Sequence, residues 1–137
     1  MALKKAKENP SKKRAVVAED DVELRFLIAS TLDELGLEVA AVEDGEKLMR
    51  LIEQCAARIT AAPQVIITDI HMPICSGFQV LGAMRRLGVN IPTIVITAFG
   101  DSRTHALVKE LGAVASFDKP LDVRDLCDEV LRLTGQA

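Results

Sequence analysis

The sequence predicts an α/β fold in which five parallel strands form a doubly wound sheet with helices on both faces. Two observations predict it. Five short apolar runs are continuous rather than alternating, which is typical of strands buried on both faces. Between these runs lie segments whose apolar residues recur at helical spacing. The chain therefore contains a strand and a helix repeated five times, and right-handed crossovers between parallel strands produce such a sheet.

The five predicted strands are only three or four residues long, and the third one stops abruptly at a carboxylate. The run Val65-Ile66-Ile67-Thr68 leads directly to Asp69, and a Met72-Pro73 turn follows. The predicted strands are residues 15–18, 39–42, 65–67, 94–96 and 114–117.

Each strand is followed by one apolar stripe that is expected to face the core. A glycine lies just beyond three of these helices, at Gly36, Gly88 and Gly112, where a left-handed C-terminal cap belongs. The stripes consist of Leu24, Leu27, Ile28, Leu32 and Leu35; Leu48, Leu51, Ile52 and Cys55; Phe78, Leu81 and Met84; Leu107, Val108 and Leu111; and Val123, Leu126, Cys127 and Val130.

Length and composition exclude several classes of protein. A chain of 137 residues with 49% hydrophobic and 27% charged residues suits one globular domain. No apolar stretch approaches the roughly 20 residues that cross a bilayer, and no signal peptide is present, so a cytoplasmic protein is predicted. Three widely spaced cysteines, Cys55, Cys75 and Cys127, indicate reduced thiols rather than disulfides or a zinc cluster.

The charge is unevenly distributed. Residues 1–14 contain six basic residues against Glu8 alone, a net charge of +5, which leaves −8 for the rest of a chain whose net charge is −3. We therefore predict a basic, flexible tail over residues 1–13 and a domain over residues 14–137. A solubilising role for the tail is favoured over contact with nucleic acid or an acidic partner.

Polar side chains gather where the predicted strands end. The carboxyl ends of parallel strands meet at one edge of the sheet, which is where ligands bind in such folds. Carboxylates in one cleft repel each other unless a cation lies among them, and oxygen ligands favour Mg²⁺. With a lysine added, such a pocket can hold a phosphoryl group. The residues at these ends are Glu19, Asp20, Asp21, Asp69, Thr97 and Lys119.

With these motifs the chain resembles a response-regulator receiver domain of two-component signalling, over about residues 14 to 134. The resemblance implies a flavodoxin-like fold with the strand order 2-1-3-4-5. The motifs that carry it are Val17-Ala18-Glu19-Asp20-Asp21 with Arg25, Asp69-Ile70-His71-Met72-Pro73 with Gly77, Thr97-Ala98, and Lys119-Pro120.

The resemblance implies that Asp69 is the phosphoacceptor, which attacks a phosphohistidine on a partner protein. Lys119 would neutralise charge on the transferring oxygens, and Thr97 would hydrogen-bond the phosphoryl group and switch the domain between two states. The protein would then be a signalling phosphoacceptor that assists its own phosphorylation and dephosphorylation, and not an enzyme in the ordinary sense.

The resemblance also implies a Mg²⁺ (or Mn²⁺) site. Asp20 would bind the ion directly, and Glu19 would act mainly through water. Asp69 would belong to the same metal site, and the backbone carbonyl of His71 would complete the protein ligands. An imidazole ligand from His71 is the less favoured alternative. Asp21 is interpreted as a solvated residue at the start of a helix.

The chain departs from the family pattern at two places. Ser116 occupies the switch position, where many members have an aromatic residue; Phe117 should point to the opposite face because side chains alternate along a strand. Cys75 and Ser76 replace an apolar residue and an aspartate, so this loop is expected to make a different contact.

Two large side chains are expected to modulate the lifetime of the phosphoryl group. His71 and Phe99 lie two residues beyond Asp69 and Thr97, at positions that in this family influence water access. Our hypothesis is that both slow hydrolysis.

The predicted partners are a histidine kinase or histidine phosphotransfer protein and an unknown downstream protein, with a homodimer left open. No membrane contact is expected, and nucleic acid is not favoured. Because the sequence stops at Ala137, we expect a stand-alone domain whose phosphorylated surface is the output.

Three other interpretations of the sequence are less favoured. A degenerate receiver would bind partners without phosphorylation, but the presence of Asp69, Thr97 and Lys119 argues against it. A flavodoxin-like electron carrier would suffer repulsion between Glu19-Asp20-Asp21 and the FMN phosphate. An aspartyl phosphatase typically has a second aspartate two residues after the first, where this chain has His71.

Overall fold

The computed structural model describes residues 12–98 and 100–135. Strands and helices alternate along the described chain, as predicted. The elements are β1 (Arg14–Ala18), α1 (Val22–Glu34), β2 (Glu38–Val42), α2 (Gly45–Ala56), β3 (Val65–Asp69), α3 (Gly77–Leu87), β4 (Thr93–Thr97), α4 (Ser102–Glu110), β5 (Ala115–Asp118) and α5 (Val123–Thr134).

All five strands belong to one parallel sheet with the order β2-β1-β3-β4-β5. The doubly wound α/β fold and its strand order are therefore confirmed. The sheet reverses its order between β1 and β3, which become neighbours although β2 separates them in sequence. In such sheets the crevice at this reversal is the usual ligand site.

The helices form one layer on each face of the sheet. On one face, Ile28 of α1 and Leu126 of α5 share a core with Val17 and Ile67. On the other face, α2 and α3 pack over β1 and β3, and α4 packs over β4. The central strands are therefore covered on both sides, and their carboxyl ends remain as the open edge.

Continuous apolar runs predicted burial on both faces, and this prediction is wrong for the two edge strands. Every residue of β3 and β4 is buried, but in β2 no residue is, and Ala40 and Ala41 are exposed. No residue of β5 is buried either. An edge strand has a neighbour on one side only, and its position in the sheet is not encoded in its own composition.

Most residues of the predicted helix stripes are buried or half-buried, as expected, but three face outward. Leu27, Leu35 and Leu107 are exposed by 49%, 40% and 44% respectively, so the buried stripes of α1 and α4 are narrower than predicted. The predicted glycines Gly36, Gly88 and Gly112 all have positive φ, between 70° and 110°. They end the helices as expected because a left-handed residue stops helical hydrogen bonding.

A side-chain oxygen caps the first turn of every helix that the structure describes. Asp21 accepts from the backbone N–H groups of Glu23 and Leu24, in agreement with its predicted place at a helix start. Ser76 and Gln79 form a reciprocal capping box at α3. The capping residues are Asp21, Asp44, Ser76, Asp101 and Asp122.

Ile74 adopts a strained backbone conformation in the loop between β3 and α3. Its φ is +75°, and the N–H of Cys75 donates to the carbonyl of Pro73 at 2.8 Å, which closes a three-residue turn around it. A β-branched residue at positive φ is disfavoured, and Ile74 is 73% exposed, so burial does not offset the strain.

Replacing Ile74 with asparagine is expected to raise the free energy of unfolding by about 1 kcal/mol, because asparagine tolerates the left-handed region. Urea unfolding followed by circular dichroism measures it. Ile59→Asn is the matched control, since Ile59 is 76% exposed without a positive φ. Equal stability changes in the two variants would show that Ile74 stores no strain.

No helix in the described part of the chain is long and apolar enough to cross a membrane. The predicted basic tail lies almost wholly outside the described residues, since residues 1–11 are not among them. The boundary between tail and domain therefore stays a prediction.

Candidate functional site

Asp69 is the last residue of β3 and is almost fully buried, with 3% of its surface exposed. Both of its carboxylate oxygens have partners. Oδ1 accepts a hydrogen bond from the backbone N–H of His71 at 2.9 Å, and Oδ2 accepts one from Lys119 Nζ at 2.8 Å. The negative charge of Asp69, which was predicted at this strand end, is therefore stabilised by one backbone N–H donor and one lysine ammonium.

Glu19 follows β1 directly and is completely buried. Its Oε2 accepts the backbone N–H of Asp21 at 3.0 Å. Its Oε1 lies 2.9 Å from Lys119 Nζ and forms a buried ion pair with it. Arg25 fixes the same turn by donating from Nη1 to the Glu19 carbonyl at 2.7 Å.

The ionisable groups of the site perturb each other. Burial raises the pKa of Glu19 to about 7. The hydrogen bonds from the Asp21 N–H and from Lys119 lower this pKa, whereas the charge of Asp69 and a side-chain hydrogen bond with Asp20 raise it further. Burial lowers the pKa of Lys119, but the hydrogen bonds and charges of Asp69 and Glu19 outweigh it, and that pKa is raised. Lys119 therefore remains a cation at neutral pH.

The carboxylates fit a hard divalent cation. One oxygen from each of Glu19, Asp20 and Asp69 lies within 4.8 Å of the others. A set made only of oxygens favours Mg²⁺ or Mn²⁺ over zinc or copper.

Thr97 lies at the same edge of the sheet and is completely buried. It follows Ile96, which is paired in register with Asp69. The carbonyl of Thr97 accepts the backbone N–H of Lys119 at 2.9 Å, so the ends of β4 and β5 are fastened together beside the site.

The structure thus brings together the carboxylates, the lysine and the threonine that the sequence analysis selected. His71 has an exposed side chain, and its backbone N–H is the group seen to contact Asp69. The predicted role of its carbonyl toward a metal, and its effect on hydrolysis, stay predictions. Phe99 lies outside the described residues.

Ser116 and Phe117 point to opposite faces of β5, as alternation predicted. Phe117 packs against the core beneath α1 and α5, whereas the hydroxyl of Ser116 meets His105 of α4. Neither His105 nor its second partner, Asp118, is among the residues predicted from the sequence. The signal that was available is the two-residue spacing of Ser116 and Asp118, which places two polar side chains on one face of a strand.

Gly77 closes the back of the site. A Cβ added at this position would lie 2.9 Å from the carbonyl oxygen of Asp69 and from Cα of Ile70. The first turn of α3 can therefore approach the end of β3 closely only because residue 77 has no side chain.

A family model for the response regulator receiver domain matches residues 15–131 of this chain. The probable transcriptional regulator ycf27 of Guillardia theta is 30% identical over 130 residues, which are 93% of this chain and 48% of that protein. Sporulation initiation phosphotransferase F of Bacillus subtilis is 24% identical over 117 residues, 85% of this chain and 90% of that protein. The chain spans about half or less of the other first curated relatives.

Solved structures agree on the fold. The receiver domain of Francisella response regulator 1452 superposes with a TM-score of 0.82 at 24% identity, covering 91% of this chain and 98% of that one. The N-terminal domain of an uncharacterized protein, WS1339, from Wolinella succinogenes has a TM-score of 0.79 at 28% identity, covering 90% and 94%. The arrangement of strands and helices described above is thus shared with receiver domains.

Proposed function

Because the chain belongs to the response regulator receiver family, we propose that Asp69 accepts a phosphoryl group from a phosphohistidine on a partner protein. The observation that carries the proposal is the contact between Asp69 Oδ2 and Lys119 Nζ at 2.8 Å, beside the carboxylates of Glu19 and Asp20. A buried nucleophile, a cation and an acidic cluster at one strand edge suit phosphoryl transfer, which depends mainly on positioning and charge neutralisation.

In the proposed reaction Asp69 is the nucleophile. The N–P bond of the donor breaks as an O–P bond to Asp69 forms, and the imidazole leaves with the electron pair. We assign the attack to Oδ2 of Asp69, which accepts a hydrogen bond from Lys119. The flexible ammonium of Lys119 can shift its contact to the incoming phosphoryl oxygens and so free this oxygen. Oδ1 stays bound, because the N–H of His71 that contacts it is fixed in the backbone. The Thr97 hydroxyl would then hydrogen-bond the transferred group.

Glu19, Asp20 and Asp69 would hold the divalent cation, together with the backbone carbonyl of His71. When bound, Mg²⁺ supplies positive charge that offsets the negative charge developing on the phosphoryl oxygens. The aspartyl phosphate is a mixed anhydride that water cleaves, so the phosphorylated state is transient.

We propose a histidine kinase or a histidine phosphotransfer protein as the donor, and phosphorylation-dependent protein binding or phosphate relay as the output. Sporulation initiation phosphotransferase F, of which the chain spans 90%, is named as a phosphotransferase, and this similarity supports onward transfer of the phosphoryl group. Switching a domain from about 1% to about 99% active needs roughly 5.5 kcal/mol of differential interaction. One neutral hydrogen bond from Thr97 is too weak for this, so the charged contact of Lys119 must contribute.

The test is incubation with Mg²⁺ and acetyl phosphate followed by intact-mass measurement. Wild type is expected to gain one phosphoryl group, and Asp69→Ala to gain none. Asp21→Asn is the matched control: Asp21 is an exposed carboxylate outside the cluster, so this variant should label like wild type. Equal labelling of wild type and Asp69→Ala, or labelling of neither, contradicts the proposal.

A further inference from the structure

His105 ties helix α4 to the edge strand β5 through both nitrogens of its ring. Nδ1 lies 2.5 Å from Ser116 Oγ, and Nε2 lies 2.9 Å from Asp118 Oδ1. Ser116 and Asp118 are two residues apart on β5, so their side chains share the face that looks toward α4. Because Ser116 is small, the imidazole can reach over it to the strand.

The chemistry of the partners orients the ring. A carboxylate only accepts hydrogen bonds, so Nε2–H donates to Asp118. In the neutral ring Nδ1 then accepts from the Ser116 hydroxyl. The side chain of His105 is 28% exposed, and both of its polar atoms are engaged, so the ring is held in one place between the helix and the strand.

Gly100 connects this bridge to the candidate site. A Cβ added at Gly100 would lie 2.4 Å from Asp118 Oδ1, 2.6 Å from Thr97 Cγ2 and 2.7 Å from His105 Nε2. The backbone of Gly100 is therefore packed directly against all three residues. Because Gly100 lies between Thr97 and the His105–Asp118 contact, it is a route by which a displacement of Thr97 can reach that contact.

Thr97 is constrained on its other side as well. Its carbonyl accepts the N–H of Lys119, and it is paired in register with Asp118. The strand ends that carry Thr97 and Lys119 thus form one unit with Asp118. His105 of α4 contacts this unit through Asp118 and lies beside Gly100.

We propose that His105 is a positioning residue for phosphoryl transfer to Asp69: by bridging Ser116 and Asp118 beside Gly100, it holds Thr97 in its unphosphorylated position. This inference rests on the proposed function of Asp69 and deepens it. Movement of Thr97 toward a phosphoryl group breaks the bridge, and the cavity of about 340 Å³ between α4 and β5, which His105 and Ser116 help to line, changes its shape with it.

The test compares labelling rates with acetyl phosphate and Mg²⁺. His105→Ala and Asp118→Ala are each expected to label roughly threefold to tenfold faster than wild type, the shift that one ordinary hydrogen bond can produce. The double variant should be no faster than the quicker single one, because both remove the same contact. Ser116→Ala keeps the ring and the Asp118 bond and should give a smaller increase.

Three further measurements separate positioning from a general loss of structure. His105→Gln offers an N–H donor at similar reach and should restore a rate near that of wild type. Mg²⁺ affinity, measured by calorimetry, should be unchanged, and hydrogen exchange at Gly100 and Asp101 should quicken in His105→Ala. Lys109→Ala, on the exposed surface of the same helix, is the matched control and should label like wild type.

The outcomes distinguish this inference from its premise. If wild type is labelled and His105→Ala labels at the same rate or more slowly, the role of His105 is refuted while Asp69 remains the acceptor. If wild type is not labelled, the proposed function fails and the inference fails with it.

Discussion

Lys119→Met is expected to slow labelling by acetyl phosphate by about 10² to 10³-fold, the effect of removing one preorganised charge donor from a reaction centre. Methionine keeps much of the length of lysine but has no charge. In the variant, nothing replaces the ammonium that lies 2.8 Å from Asp69 Oδ2 and 2.9 Å from Glu19 Oε1. The rate is followed by intact mass over time, because the chain contains no tryptophan or tyrosine to report the reaction by fluorescence.

The Mg²⁺ affinity of Lys119→Met is a second measurement, which shows whether the variant is folded and whether the effect of the substitution is local. Without the lysine the carboxylate cluster is more negative, so Mg²⁺ should bind more tightly in calorimetry even as labelling slows. Lys47→Met is the matched control, since Lys47 is paired with Glu43 on the exposed surface and should label like wild type. Labelling of Lys119→Met within a few-fold of the wild-type rate would exclude Lys119 from the reaction.

Gly45→Ala is expected to lower the free energy of unfolding by about 3 kcal/mol, the upper part of the usual range for overpacking. Gly45 is the first residue of α2 and is buried. An added Cβ would lie 1.8 Å from the carbonyl oxygen of Cys75 and 2.6 Å from its carbon. Because these atoms are backbone, the loop between β3 and α3 must shift as a whole to make room.

The same substitution at Gly82 is expected to have the opposite effect on the free energy of unfolding. Gly82 lies inside α3, and nothing is within 4 Å of the position that its Cβ would take. Alanine there should raise the free energy of unfolding by about 0.5 to 1 kcal/mol, because it reduces the backbone entropy of the unfolded chain. Urea unfolding followed by circular dichroism measures both variants. If Gly45→Ala is as stable as wild type, the packing of α2 against Cys75 is not as described.

The fold was predictable where local pattern and final environment agree. In β3 and β4 the apolar runs are continuous because these strands are central, and the structure buries every one of their residues. The run Val39–Val42 looks the same in sequence, yet it forms an exposed edge strand. Which strand becomes an edge depends on the order of strands in the sheet, and that order is set by contacts between distant parts of the chain.

The residues of the candidate site could be predicted from the sequence for a related reason. Its residues directly follow strands or end them, so knowing that the strands are parallel was enough to expect Asp69, Glu19 and Lys119 at one edge. The contacts of His105 with Ser116 and Asp118 could not be predicted in this way. Whether a helix side chain meets Ser116 and Asp118 depends on the angle at which α4 packs on β5, which no local pattern of α4 records.

The three carboxylates of the site differ in exposure, and this difference should give them different roles in the kinetics of cation binding. Asp20 is exposed, whereas Glu19 and Asp69 are buried beneath it. Asp20 is therefore the carboxylate that an incoming cation meets first, and it should govern the association rate, which long-range charge can steer. The buried pair should govern the residence time, since a cation held there must regain its water before it can leave.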